Sequence, residues 1–329
     1  MGKFFEKLKE REFFRLPPAA LAMFFCAAVM AGVIVAPLSH IWSARQDYSF
    51  GFLMPVFCAY VLFDRWPRIK KYFLEPAEEP REKVFAEFVC GAFFFSMFVC
   101  GILTYLMGVA FFAISGNFGA PVFIATFGFS FAFFAMAYFA GGADSFGNRK
   151  SLSSRLSFAG LFTFPAFAWL VSAPVFDIIE NKISLFLLGK VAAVVYGVMD
   201  MLGYVVSLNG NVLSFPNGNV GVADACSGIR SLTACLFAGS FLAAVFLDKL
   251  WKKVLLVALS MVFAFFNNIL RAMFLSFWAY SNGPDSISGF VHDAAGYFVM
   301  GMTVLCLLLL IPLFTINPVP KQFRNNPEK

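Results

Sequence analysis

The sequence predicts an all-α membrane protein that crosses the bilayer about eight times and has one short β-hairpin outside the membrane. Three observations predict this fold class: 60% of the 329 residues are hydrophobic, only 13% are charged, and the apolar residues, with 47 Phe among them, form long stretches with few interruptions. A chain of this composition could not hide its apolar side chains in a water-soluble fold. The composition therefore excludes a soluble enzyme, a disordered protein and a fibrous protein.

The membrane spans follow from the lengths of these stretches. A helix needs about 20 residues to cross about 30 Å of hydrocarbon. The second stretch is shorter and has charged residues on both sides, so we expect it to use interfacial residues or to sit in a thinned bilayer. The eight predicted spans cover residues 18–38, 50–63, 85–107, 120–140, 156–175, 227–247, 254–280 and 291–316.

The positive charges predict the orientation of these spans. Twenty of the 25 Lys and Arg residues lie before the first span, after the second, fourth and sixth spans, or after the eighth. Because cytoplasmic segments hold the excess of Lys and Arg, we expect a protein of the inner cell membrane with both termini in the cytoplasm. Residues 1–17 and 317–329 are then cytoplasmic, and residues 18–316 form one membrane-embedded domain. The net charge of +6 reflects this orientation and does not indicate a nucleic-acid partner.

The stretch 184–207 is apolar enough to form a further span. It contains Lys190 and Asp200, and a ninth crossing would move the basic cluster at 249–253 to the outside. We therefore expect this stretch to form a helix that lies in or on the outer leaflet, in contact with membrane lipid.

Two short β-prone runs follow this helix. Residues 212–215 and 220–223 flank the turn sequence Pro-Asn-Gly-Asn, which is typical of a hairpin. The segment from about 176 to 226 is thus predicted to be an extracytoplasmic insert that ends at a cysteine.

Cys226 is the one cysteine of seven that lies outside the predicted spans. It stands where the hairpin gives way to a helix, and the unpaired N–H groups and the positive dipole end of a helix N-terminus favour a thiolate. The sequence therefore offers Cys226 as a nucleophile, with Asp224 and Ser227 beside it as supporting residues. A small interfacial residue at a turn is the alternative interpretation.

Arg271 interrupts the apolar seventh span. It lies 20 residues beyond Trp251, which is about 30 Å of helix and places the guanidinium at the outer interface. Asn268 lies three residues before Arg271, so the two side chains share one helix face. A charge within a span is costly and usually functional, and an arginine that reaches for lipid headgroups is the alternative.

His292 begins the eighth span on the same outer side and is one of only two His in the chain. A His at an interface can be a simple polar anchor, but Cys226, Arg271 and His292 come from three spans and are all placed at one membrane level. Together they supply a nucleophile, a cation for a developing oxyanion and a proton carrier. Arg230, one turn beyond Cys226, is a candidate for binding a substrate carboxylate or a lipid phosphate, or for anchoring its helix.

These residues resemble the signature motifs of the exosortase/archaeosortase family. The similarity rests on residues 223–232 (ADACSGIRSL), on Asn268-Ile269-Leu270-Arg271, and on His292 with Gly296. It implies a polytopic membrane transpeptidase whose catalytic Cys, Arg and His are Cys226, Arg271 and His292. His292, at the third catalytic position, makes the chain resemble the bacterial exosortase branch of the family.

The resemblance also implies the partners of the protein. The substrate would be a secreted protein with a C-terminal sorting tail of the PEP-CTERM type, made of a short motif, an apolar helix and a basic cluster. The enzyme would cleave the sorting tail through a thioester intermediate and pass the acyl group of the substrate to an unknown acceptor nucleophile. A tail inserted with its basic residues inside would deliver its motif to the outer interface, where Cys226 is predicted to lie.

A non-enzymatic transporter, or a component of lipid or polysaccharide export, is the alternative function. In such a protein Asn267, Asn268 and Arg271 would line a pathway. A pathway also needs polar residues near the middle of the membrane and on its cytoplasmic side, whereas the notable polar residues here gather at one interface. No metal or cofactor is expected, because the chain has only two His and no carboxylate cluster accompanies them.

Overall fold

The structure is a computed structural model that describes residues 16–75, 84–174, 177–221 and 228–315. The described chain is mostly helical and separates into two compact units, Met1–Ile179 and Glu180–Lys329. Each unit has buried apolar clusters of its own.

In its described residues, the first unit contains four long helices and three short ones. Prolines in the first turns of α1, α2 and α4 suit a helix start, because the missing N–H of proline has no helical partner there. The elements are α1 (Pro18–Ala44), a 3-10 helix (Gln46–Leu53), α2 (Met54–Leu74), α3 (Val84–Ser115), α4 (Ala120–Ala140), α5 (Leu152–Gly160), α6 (Thr163–Phe167) and α7 (Trp169–Ser172).

Helices α3 and α4 pack backbone against backbone through glycines. A Cβ placed on Gly128 of α4 would lie 2.2 Å from the backbone N of Tyr105 in α3, and one placed on Gly108 of α3 would lie 2.3 Å from the backbone N of Ala125 in α4. Small residues permit this close approach in a bilayer, where van der Waals packing rather than exclusion of water stabilises a helix pair.

The described part of the second unit contains four α-helices and a small antiparallel sheet. Its strands follow one another in the order β1-β2-β3, with Leu208 paired to Leu213 and Leu213 paired to Val220. The elements are α8 (Asp177–Met201), β1 (Ser207–Asn209), β2 (Val212–Phe215), β3 (Gly218–Gly221), α9 (Gly228–Phe246), α10 (Leu250–Asn282), a 3-10 helix (Pro284–Ile287) and α11 (Phe290–Thr315).

Helix α8 and the sheet pack against the later part of α10. The buried apolar residues of α8 recur at the spacing of one helix face, at positions 188, 191, 192, 195 and 199. They form one cluster with Leu213 and Val220 of the sheet and with Leu275 and Ala279 of α10. This cluster fixes the part of α10 that carries the candidate site.

Helices α9, α10 and α11 pack on one another beside this cluster. Leu242 of α9, Leu256 of α10 and Leu307 of α11 are buried together. The Lys252 ammonium group donates to the backbone oxygen of Phe314, so the first turn of α10 is tied to the end of α11. A cation at the C-terminal end of α11 also suits the helix dipole.

Among the residues that the structure describes, six helices are long and apolar enough to cross a membrane, or seven if the bent pair formed by α5 and α6–α7 counts as one span. These helices support a multi-pass membrane protein. The six are Pro18–Ala44, Val84–Ser115, Ala120–Ala140, Asn181–Met201, Leu250–Asn282 and Phe290–Phe314.

The helices differ from the predicted spans in several places. The stretch 184–207, predicted to lie in the outer leaflet, falls largely in α8, which is itself long and apolar enough to cross. The second predicted span, 50–63, lies in the 3-10 helix and α2, which is not among the six candidates. The count of eight crossings therefore stays a prediction.

Two further predicted spans are shorter or less regular than expected. The fifth, 156–175, is bent by 56° between Gly160 and Thr163. The described part of the sixth contains an apolar helix over Leu232–Phe246, which is shorter than a full span. The extramembrane insert, predicted as a two-stranded hairpin, contains three strands up to Gly221, and the rest of the second predicted run lies outside the described residues.

Candidate functional site

Arg271 lies on the buried face of α10. Buried residues of this helix recur every three or four positions, at Ala264, Asn268, Arg271 and Leu275, which is the pattern of one helix face. The Arg271 side chain is only 6% exposed and Asn268 only 2%. A buried cation needs hydrogen-bond partners to offset the loss of water, and α11 provides them.

The partner of Arg271 is His292, in the first turn of α11. Nη2 of Arg271 lies 3.1 Å from Nε2 of His292 and donates to the backbone oxygen of the same residue at 3.2 Å. One guanidinium nitrogen thus contacts both the ring and the main chain of His292. The two residues, 21 positions apart in sequence, form the centre of the candidate site.

The contact fixes the tautomer of the His292 ring. Because an arginine side chain has only donors, Nε2 of His292 accepts the hydrogen bond from Arg271. Nδ1 then carries the ring proton and donates to Oδ1 of Asp293 at 3.3 Å. In this arrangement the His292 ring lies between the Arg271 guanidinium and the exposed Asp293 carboxylate.

Gly296 leaves room for the Arg271 guanidinium. A Cβ on Gly296 would lie 3.3 Å from Nη2 and 3.4 Å from Cζ of Arg271. His292 and Gly296 are four residues apart on α11 and therefore lie on one helix face. The guanidinium rests on that face, with the ring of His292 on one side and the bare backbone of Gly296 on the other.

The Nε atom of Arg271 is buried and has no hydrogen-bond partner among the described residues. A buried N–H without an acceptor costs about 1–3 kcal/mol. A group that is retained at this cost is a candidate for binding an acceptor on another molecule, such as a peptide carbonyl oxygen.

A second polar contact joins the helices of the site below the Arg271–His292 pair. The Asn267 amide donates to Oγ1 of Thr303 at 2.6 Å, and this hydroxyl donates to the backbone oxygen of Val299 at 2.9 Å. The buried Cys235 thiol of α9 also interacts with the Thr303 side chain. The polar cluster Cys235–Asn267–Thr303 thus connects α9, α10 and α11.

The structure brings together some of the predicted site residues and does not describe others. Arg271 and His292 are in contact, and Asn268 is buried on the same helix as Arg271. Asp224, Cys226 and Ser227 lie outside the described residues, and the side chain of Arg230, in the first turn of α9, is also outside them. The catalytic roles of all these residues stay predictions.

Three features of the site were not predicted from the sequence. For the contact of Asp293 with His292, the only clue in the sequence is that the two residues are neighbours. For Thr303, the only clue is that it lies a whole number of helical turns beyond His292. Gly296 belongs to the third sequence motif, but the motif does not reveal its structural role. Among the residues that the structure describes, no group of three or more His, Cys, Asp or Glu side chains could hold a metal ion.

Comparison with known proteins identifies one relationship. The family model described as transmembrane exosortase matches residues 42–309, a range that includes Cys226, Arg271 and His292. No curated protein and no solved structure matches the chain.

Proposed function

The chain belongs to the transmembrane exosortase family, and on this premise we propose that it is a membrane-embedded cysteine transpeptidase or protease. Its substrates are secreted proteins that end in a sorting tail of the PEP-CTERM type. It cleaves the tail and passes the acyl group to an acceptor of the cell envelope. It lies in the inner membrane with both termini in the cytoplasm and its active site on the periplasmic side.

The contact between Arg271 and His292 is the observation that carries this proposal. Two polar groups on separate, mostly apolar helices meet at 3.1 Å. Besides its thiol, a cysteine acyl transferase uses a proton carrier and a donor that stabilises the oxyanion, and an imidazole and a guanidinium can fill these two roles. Membrane helices rarely retain such groups unless function requires them.

The first half of the reaction forms a thioester. The Cys226 sulfur attacks the carbonyl carbon of the scissile peptide bond, and its proton passes to Nε2 of His292. The carbonyl oxygen takes over a hydrogen bond from Arg271, which stabilises the negative charge of the tetrahedral intermediate. The intermediate collapses when His292 returns the proton to the leaving amine, so the C–N bond breaks and the acyl group stays on sulfur.

The second half releases the acyl group. An acceptor nucleophile, or water, gives its proton to His292 and attacks the thioester carbonyl. Arg271 again stabilises the oxyanion, and the C–S bond breaks as the proton returns to Cys226. Atoms and protons balance over the cycle without a metal or a redox partner.

The length of α10 supports the proposed location of the site. Arg271 is 18 residues beyond Lys253, which is about 27 Å of helix and close to the thickness of the hydrocarbon layer. If the basic cluster at 249–253 marks the cytoplasmic surface, Arg271 and His292 reach the opposite one.

No observation favours the transporter alternative. Within α10 and α11 the charged residues are Lys252 and Lys253 at one end and Arg271 and Asp293 toward the other. Between these two groups α10 and α11 carry no charged residue. The buried polar residues Asn267 and Thr303 bond to each other there, which favours a structural contact over the wall of a transport pathway.

The experiment that tests the proposal is the intact mass of a tailed secreted reporter, expressed with and without this protein. We expect the wild-type protein to shorten the reporter at one bond, and any acceptor to appear as added mass. Cys226→Ala and Cys226→Ser should leave the reporter at full length. Cys100→Ala, which changes an exposed cysteine of α3, is the matched control and should process normally. Normal processing by Cys226→Ala would refute the proposed nucleophile.

A further inference from the structure

An elongated groove runs along the surface between α10 and α11. It encloses about 630 Å³, and Arg271 is the one charged residue among the described residues of its wall. The other lining residues are apolar: Leu270, Phe274, Trp278, Phe290, Val291, Ala294, Ala295, Phe298, Val299 and Met302.

The groove has the length and width of one helix face. Its α10 residues recur every four positions from 270 to 278, and its α11 residues recur every three or four positions from 290 to 302. Twelve residues of α11 correspond to about 18 Å along the helix axis. Several lining side chains are exposed, with Phe290 at 86% and Phe298 at 70%, so the groove is open along its side.

The small residues of the groove favour a helix as the occupant. Ala294 and Ala295 line the groove on α11, and small side chains let the backbone of a second helix come close. A helical segment also satisfies its own backbone groups, so it makes no polar demand on an apolar wall.

The unpartnered donor of Arg271 distinguishes a peptide from a lipid chain. Arg271 lines the groove, is 6% exposed, and its Nε–H has no acceptor among the described residues. In the proposed substrate a non-helical motif precedes the apolar helix, and the backbone carbonyl oxygens of that motif have no helical partners. These oxygens are acceptors of the kind that Nε–H lacks. A hydrocarbon chain offers no acceptor along its length.

Resting on the proposed function, we propose that the α10–α11 groove binds the apolar membrane segment of the substrate as a helix. The segment packs on Ala294, Ala295 and Phe298, and the peptide next to it lies against Arg271 and His292. The groove then selects substrates by an apolar segment and brings the adjoining peptide to the catalytic pair.

The test uses two adjacent aromatic residues of α11. Phe298 lines the groove, whereas Tyr297 is equally exposed, at 69%, and does not line it. Each is replaced in turn by the photoreactive residue p-benzoylphenylalanine in the full-length Cys226→Ala protein, which retains an uncleaved substrate. The probe is a secreted reporter with a sorting tail, co-expressed in the membrane and irradiated there.

We expect a covalent adduct between the reporter tail and the probe at position 298, and no such adduct when the probe is at position 297. Mass spectrometry of the adduct should place the crosslink in the apolar segment of the tail. Equal crosslinking at both positions, crosslinking to lipid alone, or no adduct at position 298 would overturn the proposal.

Failure of the groove and failure of the proposed function give different results. Crosslinking does not need catalysis, and cleavage is scored separately with the wild-type protein. An adduct at position 298 without cleavage by the wild-type protein supports the groove and refutes the peptidase. Cleavage without an adduct at position 298 supports the peptidase and refutes the groove.

Discussion

Gly296 lies directly against the Arg271 guanidinium, so close that a Cβ at position 296 would stand 3.3 Å from Nη2. The glycine is therefore part of the surface on which the cation rests. A methyl group there would displace the guanidinium by a few tenths of an ångström relative to His292.

We expect Gly296→Ala to slow substrate processing about tenfold, because small displacements of catalytic groups cost large factors in rate. Gly301→Ala is the matched control on the same helix, since a Cβ at Gly301 would meet nothing within 4 Å. The measurement is the initial rate of tail removal, with the membrane level of each variant determined in parallel. Equal rates for the two variants would show that Gly296 does not position Arg271.

Arg271→Lys should impair processing although it keeps the charge. A lysine ammonium cannot reproduce the planar fork of donors, whereas Arg271 holds His292 through Nη2 and has a further donor, Nε–H, without a partner among the described residues. Loss of one oxyanion donor typically lowers the rate by about 100-fold to 1,000-fold. The control is Arg149→Lys in the first unit, where the guanidinium is 70% exposed and pairs with Glu87. Full activity of Arg271→Lys would show that Arg271 only anchors its helix and takes no part in the reaction.

The polar contact between Asn267 and Thr303 should stabilise the second unit. Asn267→Leu or Thr303→Val alone leaves a buried polar group without its partner, and membrane hydrogen bonds of this kind contribute about 1 kcal/mol. We expect each single variant to lower the thermal midpoint of the purified protein in detergent, and the double variant to lose less than the sum of the two. Strict additivity in this double-mutant cycle would mean that the two side chains do not interact.

Close packing of α3 on α4 predicts opposite effects for two Gly→Ala changes. Alanine favours a helix over glycine by about 1 kcal/mol, so Gly91→Ala, with open space around the new methyl group, should be neutral or stabilising. Gly128→Ala places a methyl group 2.2 Å from the Tyr105 backbone and should destabilise the pair by about 1–3 kcal/mol. Thermal unfolding of both variants tests this, and equal midpoints would contradict the helix contact.

The sequence was most informative where the signal is long. The apolar stretches at 18–38, 85–107, 120–140 and 254–280 fall within helices that are long enough to cross, and so do the described residues of the stretch 291–316, which ends one residue beyond α11. Their charged flanks also placed Arg271 and His292 at one level, and these residues are in contact. The height of a polar residue along a long helix follows from the rise per residue, so it can be predicted by counting residues from the end of the span.

Features that depend on packing could not be predicted in this way. The bend between Gly160 and Thr163 leaves hydropathy unchanged, because both halves are apolar. Strand β1 is the three-residue segment Ser207–Asn209, too short for a β pattern. Lys190 and Asp200 argued against a span at α8, although the helix is otherwise apolar enough for one. Thr303 and Gly296 gain their roles only from the approach of α10 to α11.

The 33 residues of α10 make a rod of about 50 Å, well beyond the roughly 30 Å of hydrocarbon in a typical bilayer. With its lysines held at one surface, the height of Arg271 above that surface is constant while the height of the opposite lipid boundary varies with acyl chain length. In a thick membrane the Arg271–His292 pair would be buried in hydrocarbon and would lose access to water or to the acceptor. In a thin membrane the cleavage motif of an inserted substrate would lie beyond the pair. Under the proposed function, turnover should pass through a maximum as the acyl chains of the reconstituted lipids are lengthened, and the length of α10 would set the membrane thickness at which that maximum falls.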